Sequence, residues 1–194
     1  MTTAAVLTPS EVAELSGAPK RLIEKAIEER VLSVRFSSRP PAGGRLRRML
    51  PTYSVVYAAA LNGLRLKLSI AHKKELARVI ARRPRSKRVK VAPAVEIDIS
   101  ELVGDALERT EKYRAARDAF IVVDEEIMGG TPIIRGTRIT VFSVLGRIED
   151  GESIEEIMAE NPDLSREAIE AAIIYARTHP QFGRPQGRPW AHGR

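Results

Sequence analysis

The stretch from Gly129 to Ala176 constrains the fold more than any other, because it carries three full sets of helix start and stop signals in one short span. Thr140 offers an N-cap hydroxyl ahead of the apolar positions Val141, Leu145 and Ile148, and Asp150-Gly151 stops that helix. Ser153 with Glu156 forms a capping box for a second helix, closed at Asn161-Pro162, since the residue before a proline is pushed out of helical conformation. Ser165 caps a third, in which Ile169, Ala172, Ile173 and Ala176 share one apolar face. Three short helices joined by tight turns predict a trihelical bundle of helix-turn-helix type, entered through a short glycine-punctuated strand pair.

Within this stretch, Gly130-Thr131-Pro132-Ile133-Ile134-Arg135-Gly136-Thr137-Arg138-Ile139 is the most specific motif of the chain. Downstream come Gly151-Glu152-Ser153, Asn161-Pro162-Asp163-Leu164-Ser165 and Ala171-Ala172-Ile173-Ile174-Tyr175-Ala176. With these motifs, residues 119–178 resemble a large prokaryotic family long catalogued as a domain of unknown function, many members of which look like VapB-type antitoxins encoded beside PIN-like ribonuclease toxins. The resemblance implies a homeodomain-like trihelical fold, dimerisation and a partner protein. It implies no enzyme.

Charge divides the chain. The net charge is +7 over 194 residues, yet residues 1–93 hold 20 Lys and Arg against 6 Asp and Glu, or +14, while residues 94–194 hold 12 against 19, or −7. A front half this basic is drawn to polyphosphate, and an acidic rear half is not. Different partners for the two halves are therefore expected. The absence of cysteine excludes disulfides, thiolate zinc sites and a cysteine nucleophile, and a reducing cytoplasm is the natural setting. No apolar run approaches the roughly 18 residues of a membrane span, so no membrane association is expected.

The basic half opens with Thr8-Pro9-Ser10-Glu11, a capping box with proline at the first helical position, and Ser16-Gly17 ends that helix. A second helix runs from about Ala18-Pro19 to Arg30, with Lys20, Arg21 and Lys25 outward in its first turns. A short helix, a glycine-containing turn and a helix that starts basic is the helix-turn-helix pattern. Val31–Phe36 alternates as a strand, Ser37–Arg48 is a Pro/Gly loop bearing Arg39, Arg45, Arg47 and Arg48, and Met49–Tyr53 returns as a second strand. Together they read as a wing. Leu7–Pro19 with Val31-Leu32 resembles the start of MerR-like winged-helix proteins, over about residues 7–36. The long dimerising coiled coil and effector domain of true MerR regulators are not recognisable afterwards.

Helices over Ser54–Leu61 and from Ser69 to Pro84 complete the first domain. A basic run from Arg78 to Lys90 is either a solvated helix end or an extension of a phosphate-gripping surface. Val89–Ile99 alternates as short strands, Ser100 begins a charged helix that reaches Tyr113, and Phe120–Val123 reads as a strand. The expected organisation is mainly α with short β-strands. A winged helix-turn-helix domain occupies residues 1–93, a connecting strand and helix 94–119, a β-hairpin plus trihelical domain 120–179, and an Arg/Pro/Gly tail 180–194. Such a tail builds no core, and its single tryptophan, Trp190, beside Arg188 makes it either a disordered end or a segment that orders on a partner.

Catalysis finds no footing. His72, His179 and His192 lie at no metal-ligand spacing, and the glycines at 129, 130 and 136 lack the Gly-Lys-Ser/Thr ending of a phosphate loop. Asp124, Glu125 and Glu126 are successive and point apart on extended chain. No catalytic residue, metal or cofactor is expected. The DNA-contacting set is expected to be Lys20, Arg21, Lys25, Arg39, Arg45, Arg47 and Arg48. Glu167 and Glu170, early in the last helix, oppose a second phosphate contact there. Dimer or toxin contact is therefore assigned to Gly130, Pro132, Ile134, Arg135, Gly136, Thr137 and Arg138, with Arg188 and Trp190 of the tail. The expected function is an antitoxin that binds a PIN-like toxin, dimerises, and represses its own operon through double-stranded operator DNA. The alternative is a stand-alone transcription regulator whose C-terminal domain only dimerises.

Overall fold

The computed structural model describes residues 5–37, 46–64 and 66–180. Strand β1 (Ala5–Leu7) leads to Thr8, which caps helix α1 (Pro9–Ser16) with the full reciprocal box: the Thr8 hydroxyl accepts from the Glu11 amide, and the Glu11 carboxylate accepts from the Thr8 amide at 2.6 Å. Gly17, at φ +66°, ends α1, and helix α2 (Lys20–Glu28) follows Pro19. The alternation over residues 31–36 predicts a longer strand than forms. Arg30 takes φ +54° and turns the chain, and the Val31 and Leu32 amides both donate back to the Ala26 carbonyl, at 2.8 and 3.1 Å. Their side chains thus plug the core, and only β2 (Arg35–Phe36) is left to pair.

Strand β3 (Arg48–Pro51) is the centre of a three-stranded antiparallel sheet, order β1-β3-β2, with Arg35 opposite Met49 and Leu7 opposite Leu50. Helix α3 (Tyr53–Gly63) is buried along every residue from Ser54 to Ala60, because small and β-branched side chains let neighbours approach on all sides. Helix α4 (Ile70–Arg82), capped by Ser69, packs beside it. The hairpin of β4 (Arg88–Ala92) and β5 (Val95–Asp98) turns at Pro93-Ala94 and buries Val89, Val91 and Ile97 on one face. The helix expected from Ser100 is two: Gly104, at φ +50° and ψ −129°, separates α5 (Ser100–Val103) from α6 (Ala106–Phe120). Phe120, read as strand from its apolar neighbours, is the last residue of α6. The larger core runs from Leu7 through α1–α4 to Ile97, Ile99, Ala106 and Tyr113, so the stretch 94–119 is built into it.

The C-terminal strand pair reaches back beyond the glycine-rich motif. Strand β6 (Ile121–Val122) pairs with β7 (Ile133–Ile134) across a loop holding a single 3-10 turn, Met128–Gly130, and only an isolated bridge joins Ile133 to Thr140. Helices α7 (Val141–Glu149), α8 (Ile154–Glu160) and α9 (Arg166–Thr178) follow, with the hydroxyls of Thr140, Ser153 and Ser165 each accepting the expected N-terminal amide. Ile134, Val141, Val144, Ile157, Leu164, Ile169, Ala172 and Ala176 form a second core. Helix α9 serves both: Ala171 is buried in the larger core and Ile174 packs against it. The protein is mainly helical with short antiparallel strands. Among the described residues no helix is long and apolar enough to cross a membrane.

Candidate functional site

Helix α2 and the β2–β3 hairpin bring together the basic residues singled out in the sequence, but not on equal terms. Lys20 and Arg21 are exposed in the first turn of α2, with no hydrogen bond or ion pair among the described residues. Lys25, one turn on, lies 3.9 Å from Glu29. Arg48 reaches from β3 to α2 and donates to Glu24 at 2.8 Å. An exposed pair of this kind contributes at most about 1 kcal/mol, so Arg48 is lightly held and a phosphate oxygen is an adequate replacement for the carboxylate. Arg39 and Arg45 lie outside the described residues.

Arg47 is placed otherwise than expected. Its backbone closes the hairpin with Ser37, and its guanidinium lies close enough to the Tyr175 hydroxyl on α9 to act on its charge. Burial pushes that hydroxyl above its usual range, and Arg47 acts against the shift. Four residues on, His179 stacks on Tyr175 with centroids 4.0 Å apart and planes 9° from parallel. Burial pushes the His179 imidazole below its usual range, with the nearby Arg47 charge lowering it further against the opposing pull of Glu11. The end of α9 therefore forms one wall of a cavity of about 340 Å³ whose other walls carry Thr8, Ser10, Lys20, Glu24, Arg47 and Arg48. The i,i+4 spacing of Tyr175 and His179 carried a signal for their stacking, but nothing local placed them beside the basic hairpin.

A buried polar cluster fixes α1 against α6. Glu11, 1% exposed, receives the Tyr113 hydroxyl at 2.7 Å and Arg117 Nη1 at 3.0 Å, besides the Thr8 amide. Arg117 also donates to the Val6 carbonyl and to Asp118. Burial and then the Glu11 charge raise the Tyr113 hydroxyl far above its ordinary value. For Arg117, burial acts to lower the pKa, but the carboxylate beside it prevails and the guanidinium stays charged. The capping box revealed Glu11 as a helix-start residue; its long-range partners were not legible.

The residues assigned to a protein interface fall into two groups. Ile134 is 2% exposed, in the second core and paired with Ile121, which removes it from any surface: this corrects its assignment. Arg135 spends its guanidinium on the Ala119 carbonyl at 2.7 Å, which ties the turn to the end of α6. Thr137 shapes that turn, donating to the Ile134 carbonyl and accepting the Ile139 amide. Gly136 is required at φ +78°, a conformation that disfavours a side chain. Gly130 and Pro132 are half-buried, while Arg138 is exposed with no partner among the described residues. Arg188 and Trp190 lie outside the described residues. The sequence reading missed the adjoining loop, where Val123, Ile127 and Met128 are 57%, 38% and 51% exposed around Asp124, Glu125 and Glu126.

A larger concavity, about 840 Å³, opens between α1, α6 and α9. Its floor is apolar, and its rims carry opposite charge: Glu14, Glu167 and Glu170 on one side, Arg109 and Lys112 on the other.

Residues 121–176 match the family model described as a protein of unknown function, DUF433. The chain is also 38% identical over 88 residues to the uncharacterized protein y4eO of Sinorhizobium fredii, a match that covers 45% of this chain and 39% of that protein. The chain thus spans about two fifths of the relative's length. The solved structure of Rv2018 from Mycobacterium tuberculosis aligns with 88% of this chain and 97% of its own at 15% identity and a TM-score of 0.38, too loose a likeness to carry the fold.

Proposed function

We propose that the protein is a DNA-binding antitoxin that represses its own promoter, with α1 and α2 as a helix-turn-helix, the β2–β3 hairpin as its wing, and the C-terminal trihelical unit as the dimerising and toxin-binding module. One observation carries the DNA-binding part: Lys20 and Arg21 stand without a partner among the described residues, in the first turn of a helix that follows a tight glycine turn and is flanked by a basic hairpin. In such an arrangement the start of the second helix enters the major groove, and the hairpin arginines grip the backbone. Arg48 would exchange Glu24 for a phosphate oxygen.

The partner-binding part is supported by the resemblance of residues 119–178 to VapB-type antitoxins and by the exposed loop from Val123 to Met128. Three exposed apolar side chains in one loop with three acids suit a protein surface with an apolar pocket and a basic rim. A second copy of the chain fits the same loop, and that outcome favours a regulator that only dimerises. The test is co-expression with the product of the adjacent gene, followed by promoter footprinting with and without it. A complex and a protected operator are expected. A footprint with no partner other than a second copy leaves the regulator, and no footprint overturns both.

A further inference from the structure

The concavity between α1, α6 and α9 is a wide apolar recess, and nothing among the described residues covers it. Its α6 wall is built of Ala115, Ala116 and Ala119, whose short side chains leave room for an incoming chain to lie close. Its acid rim is lightly compensated among the described residues: Glu167 feels Arg166 only through its charge, Glu170 has Arg166 at 4.0 Å, and Glu14 has Arg177 at 3.4 Å. The described chain ends at Pro180, two residues past α9, and the segment after it reads Gln181-Phe182-Gly183-Arg184-Pro185-Gln186-Gly187-Arg188-Pro189-Trp190-Ala191-His192-Gly193-Arg194. It holds three arginines, no acid, and two large aromatics.

We infer that this C-terminal segment folds back along α9 and seats Trp190 in the apolar recess, with its arginines on the acid rim. Reach is sufficient. The four helical steps from Ile174 to Thr178 amount to about 6 Å and the two residues on to Pro180 to at most about 7 Å, while the ten residues from Pro180 to Trp190 extend to about 33 Å. Chemistry fixes the orientation: Arg109 and Lys112 repel the arginines of the segment, so these lie on the side of Glu14, Glu167 and Glu170. Tethering favours the chain's own segment over that of a second copy, because a short linker holds it at an effective concentration on the order of millimolar. This inference stands apart from the antitoxin proposal. If a toxin is present, the same segment is sheltered until the toxin competes for it.

The single tryptophan makes the segment its own reporter. Emission and acrylamide quenching are measured on the full chain and on a synthetic peptide of residues 180–194. The full chain is expected to emit at shorter wavelength, with quenching reduced severalfold and unchanged on dilution. Ala115→Arg, at an exposed position of the recess, is expected to return both readings to those of the peptide while the helical circular dichroism and melting midpoint stay as in the parent. Glu167→Lys, chosen as milder, weakens docking by up to about fivefold, the limit for an exposed ion pair. Peptide-like quenching in the parent chain overturns the inference. So does protection that Ala115→Arg leaves intact, since Trp190 is then buried elsewhere, and so does protection lost on dilution, which assigns the segment to a second copy.

Discussion

The Tyr113 hydroxyl and Glu11 Oε1 meet at 2.7 Å although the two residues are 102 apart in the chain. The bond joins the carboxylate that closes the capping box of α1 to the middle of α6, and Arg117 completes it with a charge. An ion in the protein interior is tolerated only when its partners are all in place.

Glu11→Ala is expected to cost about 3 kcal/mol, the lower end for breaking a buried pair, because Arg117 keeps Asp118 and the Val6 carbonyl. Tyr113→Phe removes a single hydrogen bond to a charged acceptor and costs about 1.5 kcal/mol. Urea unfolding of the two variants checks the order. Equal losses would mean that the carboxylate is not the hub of the cluster.

Arg21→Glu should weaken binding of the full chain to promoter duplex and flatten its dependence on salt, since each lost phosphate contact lowers the slope by about 0.9. Arg48→Ala should cost less, because removing it from the free protein also breaks a pair with Glu24. Titrations at several salt concentrations separate the two. An unchanged slope for Arg21→Glu places the phosphate contacts elsewhere.

Gly136 and Gly146 both have open space where a Cβ would sit, but only Gly136 is at positive φ. Gly136→Ala should therefore destabilise by about 1 kcal/mol through backbone strain alone. Gly146→Ala, within α7, should stabilise by about 0.5–1 kcal/mol. Opposite shifts in the thermal midpoint are the expected result, and shifts of one sign would contradict the turn geometry at Gly136.

Acid should loosen the protein in two stages. Burial holds the His179 imidazole below its usual 6.5, so the unfolded chain takes up its proton first and stability falls as the pH drops from 6.5 through the folded value. Hydrogen bonds from Arg147 to Glu152, from Arg166 to Glu155 and from the Ser153 amide and hydroxyl to Glu156 hold those carboxyls below 4.5. Their contribution is full above 4.5 and is lost as the pH falls through the folded values. His179→Phe, which keeps the stack on Tyr175, should remove the first stage and leave the second. Melting midpoints recorded from neutral to acid pH decide it.

Much of this was legible in the residues because it is local. Thr8, Ser69, Thr140, Ser153 and Ser165 all cap the helices that their spacing announces, since a capping hydroxyl and its amide are neighbours in sequence. Errors arose where a local pattern was overruled from a distance. Val31 and Leu32 have a strand's alternation but are drawn inward by the core, and Phe120 is kept helical by the turns before it. Ile134 sits in a motif that reads as a surface, yet pairing with Ile121 buries it. The meeting of Arg47 with Tyr175, and of Glu11 with Tyr113, depends on how α9 and α6 cross α1, and no short window of sequence encodes that crossing.

Because Ala171 faces one core and its neighbour Ala172 the other, the front and rear of this protein are not interchangeable parts. A recombination that grafts the rear module onto a different front end must also supply a mate for Ala171 and Ile174, or leave an apolar stripe open to water. Inheritance of the two halves is thus coupled through a helix that both cores share, and changes on either side of it are filtered by the fit on both.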